Sequence, residues 1–139
     1  MTSTSEPGAV HVRRVLPAPV ERVWRALTDA DQLAAWFWPA RLGPSATVDL
    51  RVGGGYHIRA TTPSMALFGS YLEIAAPRRL VFSWRWDGED KTSVVTIDLS
   101  GDGEHTELTL IQDQLSAEDV VSHQQGWSDC LDRIPAHLE

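Results

Sequence analysis

His123 and Cys130 are the first residues to invite a chemical reading, a base and a nucleophile within one stretch of the chain. That stretch has helical spacing, and seven residues of helix hold the two backbones about 10 Å apart at 1.5 Å rise per residue. Side chains so placed do not meet at hydrogen-bond distance, so Cys130 reads as a buried thiol rather than a nucleophile. His123 reads either as a polar handle inside a cavity or as a histidine at the helix surface. Glu73 and Asp98 are strand carboxylates of the kind that work as an acid–base pair, yet a single bulge inverts the face each occupies, and an exposed role is expected. The five histidines, His11, His57, His105, His123 and His137, form no close helical or hairpin pair, and there is no second cysteine. No metal centre is expected. Gly53-Gly54-Gly55 precedes a strand rather than a helix and lacks a Lys-Ser/Thr pair, so it reads as a turn and not as a phosphate loop. No cofactor and no catalytic constellation follow from these residues.

The tryptophans are more informative. Six stand in 139 residues: Trp24, Trp36, Trp38, Trp84, Trp86 and Trp127. Most are expected in the core, where each must satisfy its indole N–H. Trp84, Trp86 and Trp127 are placed to face one another across a gap between a strand and a helix, with Trp36 to Trp38 near its mouth. Tyr56, Ile58, Met65 and Phe82 are expected to complete an apolar lining. Gln112 shares its parity with Leu108 and Leu110, so it points inward. It reads as a ligand anchor or as a satisfied core amide, and His123 is the second polar candidate.

These side chains require particular elements to hold them. Ser116 caps a helix whose first turn carries Glu118 and Asp119. Val120, His123, Trp127, Cys130, Leu131, Ile134 and Leu138 recur at three and four, the stripe of an amphipathic helix running to Leu138. Pro135 removes the hydrogen bond to the Leu131 carbonyl and is expected to kink or end it. Gly126 costs such a helix about 1 kcal/mol relative to Ala, which points to a close approach or a space. Upstream, His11–Leu16 reads as a strand, and Pro19 suits the first turn of a helix containing Val20, Val23, Trp24 and Leu27. Asp29 or Asp31 caps a second short helix that Pro39 stops. Strands are then expected at Val48–Val52, Tyr56–Ala60, about Ala66–Ile74, Leu80–Trp86, Ser93–Leu99 and Thr106–Gln112, separated by turn signals. Arg59 and Arg85 fall on the solvated parity. The expected fold class is α+β: a curved antiparallel sheet of about six or seven strands around a long C-terminal helix, with two short helices after the first strand.

The totals fit one domain over residues 10–139 behind a short disordered tail at 1–9. Twelve basic residues against nineteen acidic give a formal charge of −7, which argues against nucleic acid and against a polybasic membrane contact. No apolar run reaches the length of a membrane span, and no signal peptide is visible. One cysteine fits a cytoplasmic location.

Five blocks in order carry a resemblance. They are Ala18–Asp29 followed by Leu33–Trp36, the Gly53-Gly54 turn, Gly69–Ile74 with Pro77, Leu80–Trp84, and His123–Trp127 with Leu131–Arg133. Together they resemble the helix-grip fold of the SRPBCC superfamily (START and birch-pollen-allergen types), in the branch named for the activator of heat-shock protein 90 ATPase. The resemblance implies a sheet closing on one helix with a cavity between them. Its leading functional expectation is a binding protein for a small hydrophobic or aromatic molecule, lined by Tyr56, Ile58, Met65, Phe82, Trp84, Trp86 and Trp127 with Gln112 and His123 as anchors. The alternatives are a chaperone-associated interaction module, recognisable by an exposed apolar patch around Trp36–Trp38, and a cyclase-like enzyme. A homodimer through a sheet edge stays open.

Overall fold

Alternating β-branched and polar residues between turn signals build seven strands. In the computed structural model, which describes residues 9–61 and 64–138, β1 (Val10–Leu16) leads into α1 (Val20–Thr28) and α2 (Ala30–Trp36). Strands β2 (Ser45–Val48), β3 (Gly55–Thr61), β4 (Ser64–Ala75), β5 (Arg79–Trp86), β6 (Ser93–Gly101) and β7 (Thr106–Asp113) follow. Helices α3 (Ala117–Asp132) and α4 (Ile134–Leu138) close the chain. All strand pairs are antiparallel, in the order β1-β7-β6-β5-β4-β3-β2. The sheet curves around α3, the helix-grip α+β architecture expected from the sequence. Residues 1–8 of the tail expected over 1–9, residues 62 and 63 of the turn expected over 62–64, and residue 139 lie outside the described residues.

Period-2 alternation fills one face. Leu80, Phe82 and Trp84 of β5, Ile97 of β6, and Leu108 and Leu110 of β7 all turn inward and are buried. Asp29 caps α2, its carboxylate accepting from the Gln32 N–H at 3.1 Å. The Trp36 indole donates to the Ala26 carbonyl at 2.7 Å and so locks α2 onto α1. Pro19 occupies the N-cap of α1, one position ahead of its first turn.

Three local expectations are corrected. The alternating run Val48–Val52 is a strand only at its first residue. Pairing of Val48 with Tyr56 ends β2, and the chain turns with the Asp49 N–H on the Gly55 carbonyl, leaving Leu50 and Val52 exposed. Gly53, at φ 87°, supplies the left-handed residue of that turn. The C-terminal helix, expected to kink or end at Pro135, is two helices broken at Arg133, two residues earlier. The Trp36–Trp38 segment is not an exposed patch, because all three side chains are buried.

A bulge settles the strand carboxylates. Tyr71 pairs with Phe82 while Glu73 pairs with Val81, so Leu72 is extra and parity inverts after it. Glu73 and Asp98 thereby share the outer surface with Arg79, at 3.3 and 2.9 Å, as an exposed ion cluster. At Gly69 the two strands press together, and a Cβ there would lie 1.9 Å from the Ser83 carbonyl oxygen. That oxygen accepts the Tyr56 hydroxyl at 2.7 Å.

Candidate functional site

The site is framed by α3, whose two halves are held differently. Ser116 caps it, Oγ accepting from the Asp119 N–H at 3.2 Å. In the second half Trp127, Cys130 and Leu131 are buried. The Arg14 guanidinium reaches that half from β1, donating to Ser128 Oγ at 2.8 Å and Asp132 at 3.2 Å. Arg133 donates to the Trp36 and Phe37 carbonyls at 2.9 and 2.6 Å, neutralising the C-terminal end of α2. The first half is less deeply covered. Val121 is 74% exposed, His123 is half-buried, and a Cβ added at Gly126 would meet nothing within 4 Å. Of the two reasons for a helical glycine, a space is the one found.

Under α3 the aromatic side chains divide the available room in two. Between the sheet and the helices, an interior cavity of only about 30 Å³ is lined by Tyr56, Ile58, Phe82, Ile97 and their neighbours. That is the space one water occupies, without the two to four polar partners a water needs. At the mouth, a groove of about 380 Å³ runs between β5, the Phe37–Pro39 segment and α3, past Trp38, Trp86, His123, Gly126 and Arg133. Phe37, Trp84 and Trp127 line both spaces and form the wall between them. Phe37 meets Trp127 edge-on at 5.9 Å and Trp84 at 6.1 Å, while Trp84 and Trp127 lie 5.1 Å apart. Trp38 and Trp86 are parallel, with centroids 6.1 Å apart, at the outer rim.

One polar network crosses this wall. Gln112, fully buried, accepts from the Trp127 indole at 2.7 Å and sits 3.0 Å from His123 Nδ1, while its amide donates to Ser93 Oγ at 2.8 Å. Gln112 is thus satisfied by the protein itself. Burial lowers the pKa of His123 below its usual value, opposed by Asp119 and Glu89. Burial pushes the Cys130 thiol up to about 11, and its Sγ donates to the Phe37 carbonyl at 3.0 Å, so it carries no reactive thiolate. The Tyr56 phenol is likewise held protonated by burial. Among the described residues, the Trp84 indole N–H is the one buried side-chain polar atom without a hydrogen-bond partner.

The sequence-chosen lining residues therefore separate. Trp84, Trp86, His123 and Trp127 come together on the groove, and Tyr56, Ile58 and Phe82 line the small interior cavity. Gln112 stands behind both Trp127 and His123. Met65 packs on the core's edge, paired with Ala60, and lines neither of these spaces but a separate, open hollow of about 1010 Å³ over β2, β3 and β4, shared with Tyr56. Phe37 lies in the Trp36–Trp38 run expected near the mouth, while Cys130 and Arg133 join the groove without having been chosen for it. The Trp36-Phe37-Trp38-Pro39 run was the available signal, because an aromatic cluster just past a helix end marks a segment packed against something. Among the described residues no cluster of His, Cys, Asp and Glu is arranged to hold a metal ion, and no helix is long and apolar enough to cross a membrane.

Known proteins share this architecture. CalU16 from Micromonospora echinospora is 30% identical, covers 94% of this chain and 76% of its own, and superposes with a TM-score of 0.74. A protein of Chromobacterium violaceum is 28% identical over 94% of this chain and 96% of its own, with a TM-score of 0.78. An HSP90 activator from Plasmodium falciparum is 27% identical over 94% and 96%, with a TM-score of 0.75. No curated protein matches the sequence. The profile of the family described as Activator of Hsp90 ATPase homolog 1-like protein matches residues 17–139, nearly the whole chain, and the protein belongs to that family.

Proposed function

We propose that this protein binds a small, flat aromatic or apolar molecule, held in the groove at the open end of the helix grip. The observation that carries this reading is the contrast in volume. The groove, at about 380 Å³, falls within the range of small-molecule sites, whereas the interior holds about 30 Å³. Four tryptophans, Trp38, Trp84, Trp86 and Trp127, supply the ring faces. Burying roughly 300 Å² of apolar ligand at about 25 cal/mol per Å² is worth about 7.5 kcal/mol before association costs. Micromolar affinity is what remains. Native mass spectrometry of protein purified without denaturation, beside a denatured control, tests the reading. A discrete extra mass lost on denaturation supports it. A clean mass together with no tryptophan-fluorescence response to a panel of aromatic compounds refutes it.

A second reading rests on a different surface. Leu50, Val52 and Leu72 are 40%, 62% and 50% exposed, and the turn bearing the first two is bonded to Tyr71, beside Leu72. An apolar patch of this kind suits a protein partner, and one similar structure is an HSP90 activator. The matching test is ATPase stimulation of a chaperone of that type. Val52→Asp with Leu72→Asp removes the stimulation if the patch is the contact.

A further inference from the structure

The polar atoms of the groove, taken one at a time, specify what its ligand must carry. An indole nitrogen only donates, so the Gln112 atom 2.7 Å from Trp127 Nε1 is the carbonyl oxygen. The same oxygen lies 3.0 Å from His123 Nδ1, and an oxygen that only accepts requires the proton on Nδ1. In the neutral ring, Nε2 then keeps its lone pair, and none of the hydrogen bonds among the described residues uses it. Burial lowers the pKa of His123, which keeps the ring neutral near pH 7. Its neighbour Trp84, 5.7 Å away by ring centroid, has its own N–H fully covered, so Nε2 of His123 is the atom of this pair that a ligand in the groove can reach.

Resting on the groove-binding reading, we propose that the ligand is a neutral aromatic hydroxy compound. Its O–H donates to His123 Nε2, while its ring lies on the tryptophan faces. Gln112 is a positioning residue: it touches no ligand but fixes the tautomer that makes Nε2 an acceptor. An anionic ligand fits poorly. Arg133, the cation of the groove, is engaged by the Trp36 and Phe37 carbonyls, and the carboxylate of Asp129 stands on the same wall. A phenolate or carboxylate also brings no proton for Nε2.

The test is calorimetric titration at pH 7.5 with three probes of one ring size: 2-naphthol, 2-methoxynaphthalene and naphthalene. The ether accepts without donating, and the hydrocarbon does neither. The expected order is 2-naphthol tightest by about fivefold over the ether, one step for one buried hydrogen bond, with the ether and naphthalene binding alike. His123→Phe should erase that step. The wild-type order requires no variant to fold. In parallel, ¹⁵N NMR of the free protein should show His123 protonated at Nδ1, a signature that packing alone would not select. Equal binding of all three probes overturns the hydroxyl assignment and leaves an apolar groove. Binding of none overturns the groove reading along with it. Retention of the 2-naphthol preference in His123→Phe, or an Nε2–H tautomer, overturns the role given to His123.

Discussion

The two halves of α3 have similar apolar patterning and opposite surroundings. From Trp127 onward the stripe is buried, and the Arg14 and Arg133 guanidiniums tie it to β1 and α2. Before Gly126 the same stripe offers Val120 and His123, both only half-buried, and His123 lines a groove of about 380 Å³. The packed half acts as core, and the other half acts as a roof. An amphipathic pattern thus shows which face a helix turns inward, but not whether the space beneath that face is filled.

The largest effect that would sharpen this contrast is a matched pair of truncations. Leu131→Ala should cost about 3 kcal/mol, as for a fully buried leucine, whereas Val120→Ala, on the half-buried part of the same stripe, should cost about 1 kcal/mol. Urea unfolding measures both, and similar losses would erase the distinction between the halves. Next comes Arg133→Met, which keeps the stem and removes the bonds to the Trp36 and Phe37 carbonyls. A loss of about 2 kcal/mol is expected for charge-assisted bonds, with a drop in probe affinity as the groove wall loosens. Gly126→Leu should move the two properties in opposite directions. Helix propensity gains up to about 0.8 kcal/mol, while the new side chain occupies open space and lowers probe affinity at least tenfold, readable by thermal unfolding and calorimetry together.

The smallest effect is that of pH. Burial holds folded His123 below its ordinary 6.5, against the opposing pull of Asp119 and Glu89. The unfolded chain therefore binds the proton more readily, so this contribution is complete above about pH 6.5 and is lost as pH falls below it. Affinity for 2-naphthol should fall over the same interval, because a protonated ring has no lone pair at Nε2. In His123→Phe the affinity should be flat there.

Much of the fold could be read along the chain. The parity of Leu80, Phe82 and Trp84 placed β5 with its inner face correctly, and Ser116 placed the start of α3 to the residue. Val48–Val52 misled because its alternation has no face to pack on once Val48 has paired with Tyr56. The Glu73 facing depended on the extra residue Leu72, and a bulge leaves little trace in a hydrophobic pattern. At the site, parity brought Gln112 inward and helical spacing brought His123 and Trp127 toward it. What the sequence could not convey was volume. Phe37 closes the interior by packing against Trp84 and Trp127, residues far from it along the chain, and that contact separates a filled centre from an open mouth.

The central claim, that ligand enters the mouth and not the centre, has built-in reporters in the six indole N–H groups. Titration of the ¹⁵N-labelled protein with 2-naphthol, followed at the indole signals, reads each position at once. The account predicts shifts at Trp38, Trp84, Trp86 and Trp127, which line the groove. It predicts quiet signals at Trp24, on α1, and at Trp36, whose N–H stays on the Ala26 carbonyl. Shifts centred on Trp36 with Trp38 and Trp86 unmoved would place the ligand in the sheet interior and contradict it.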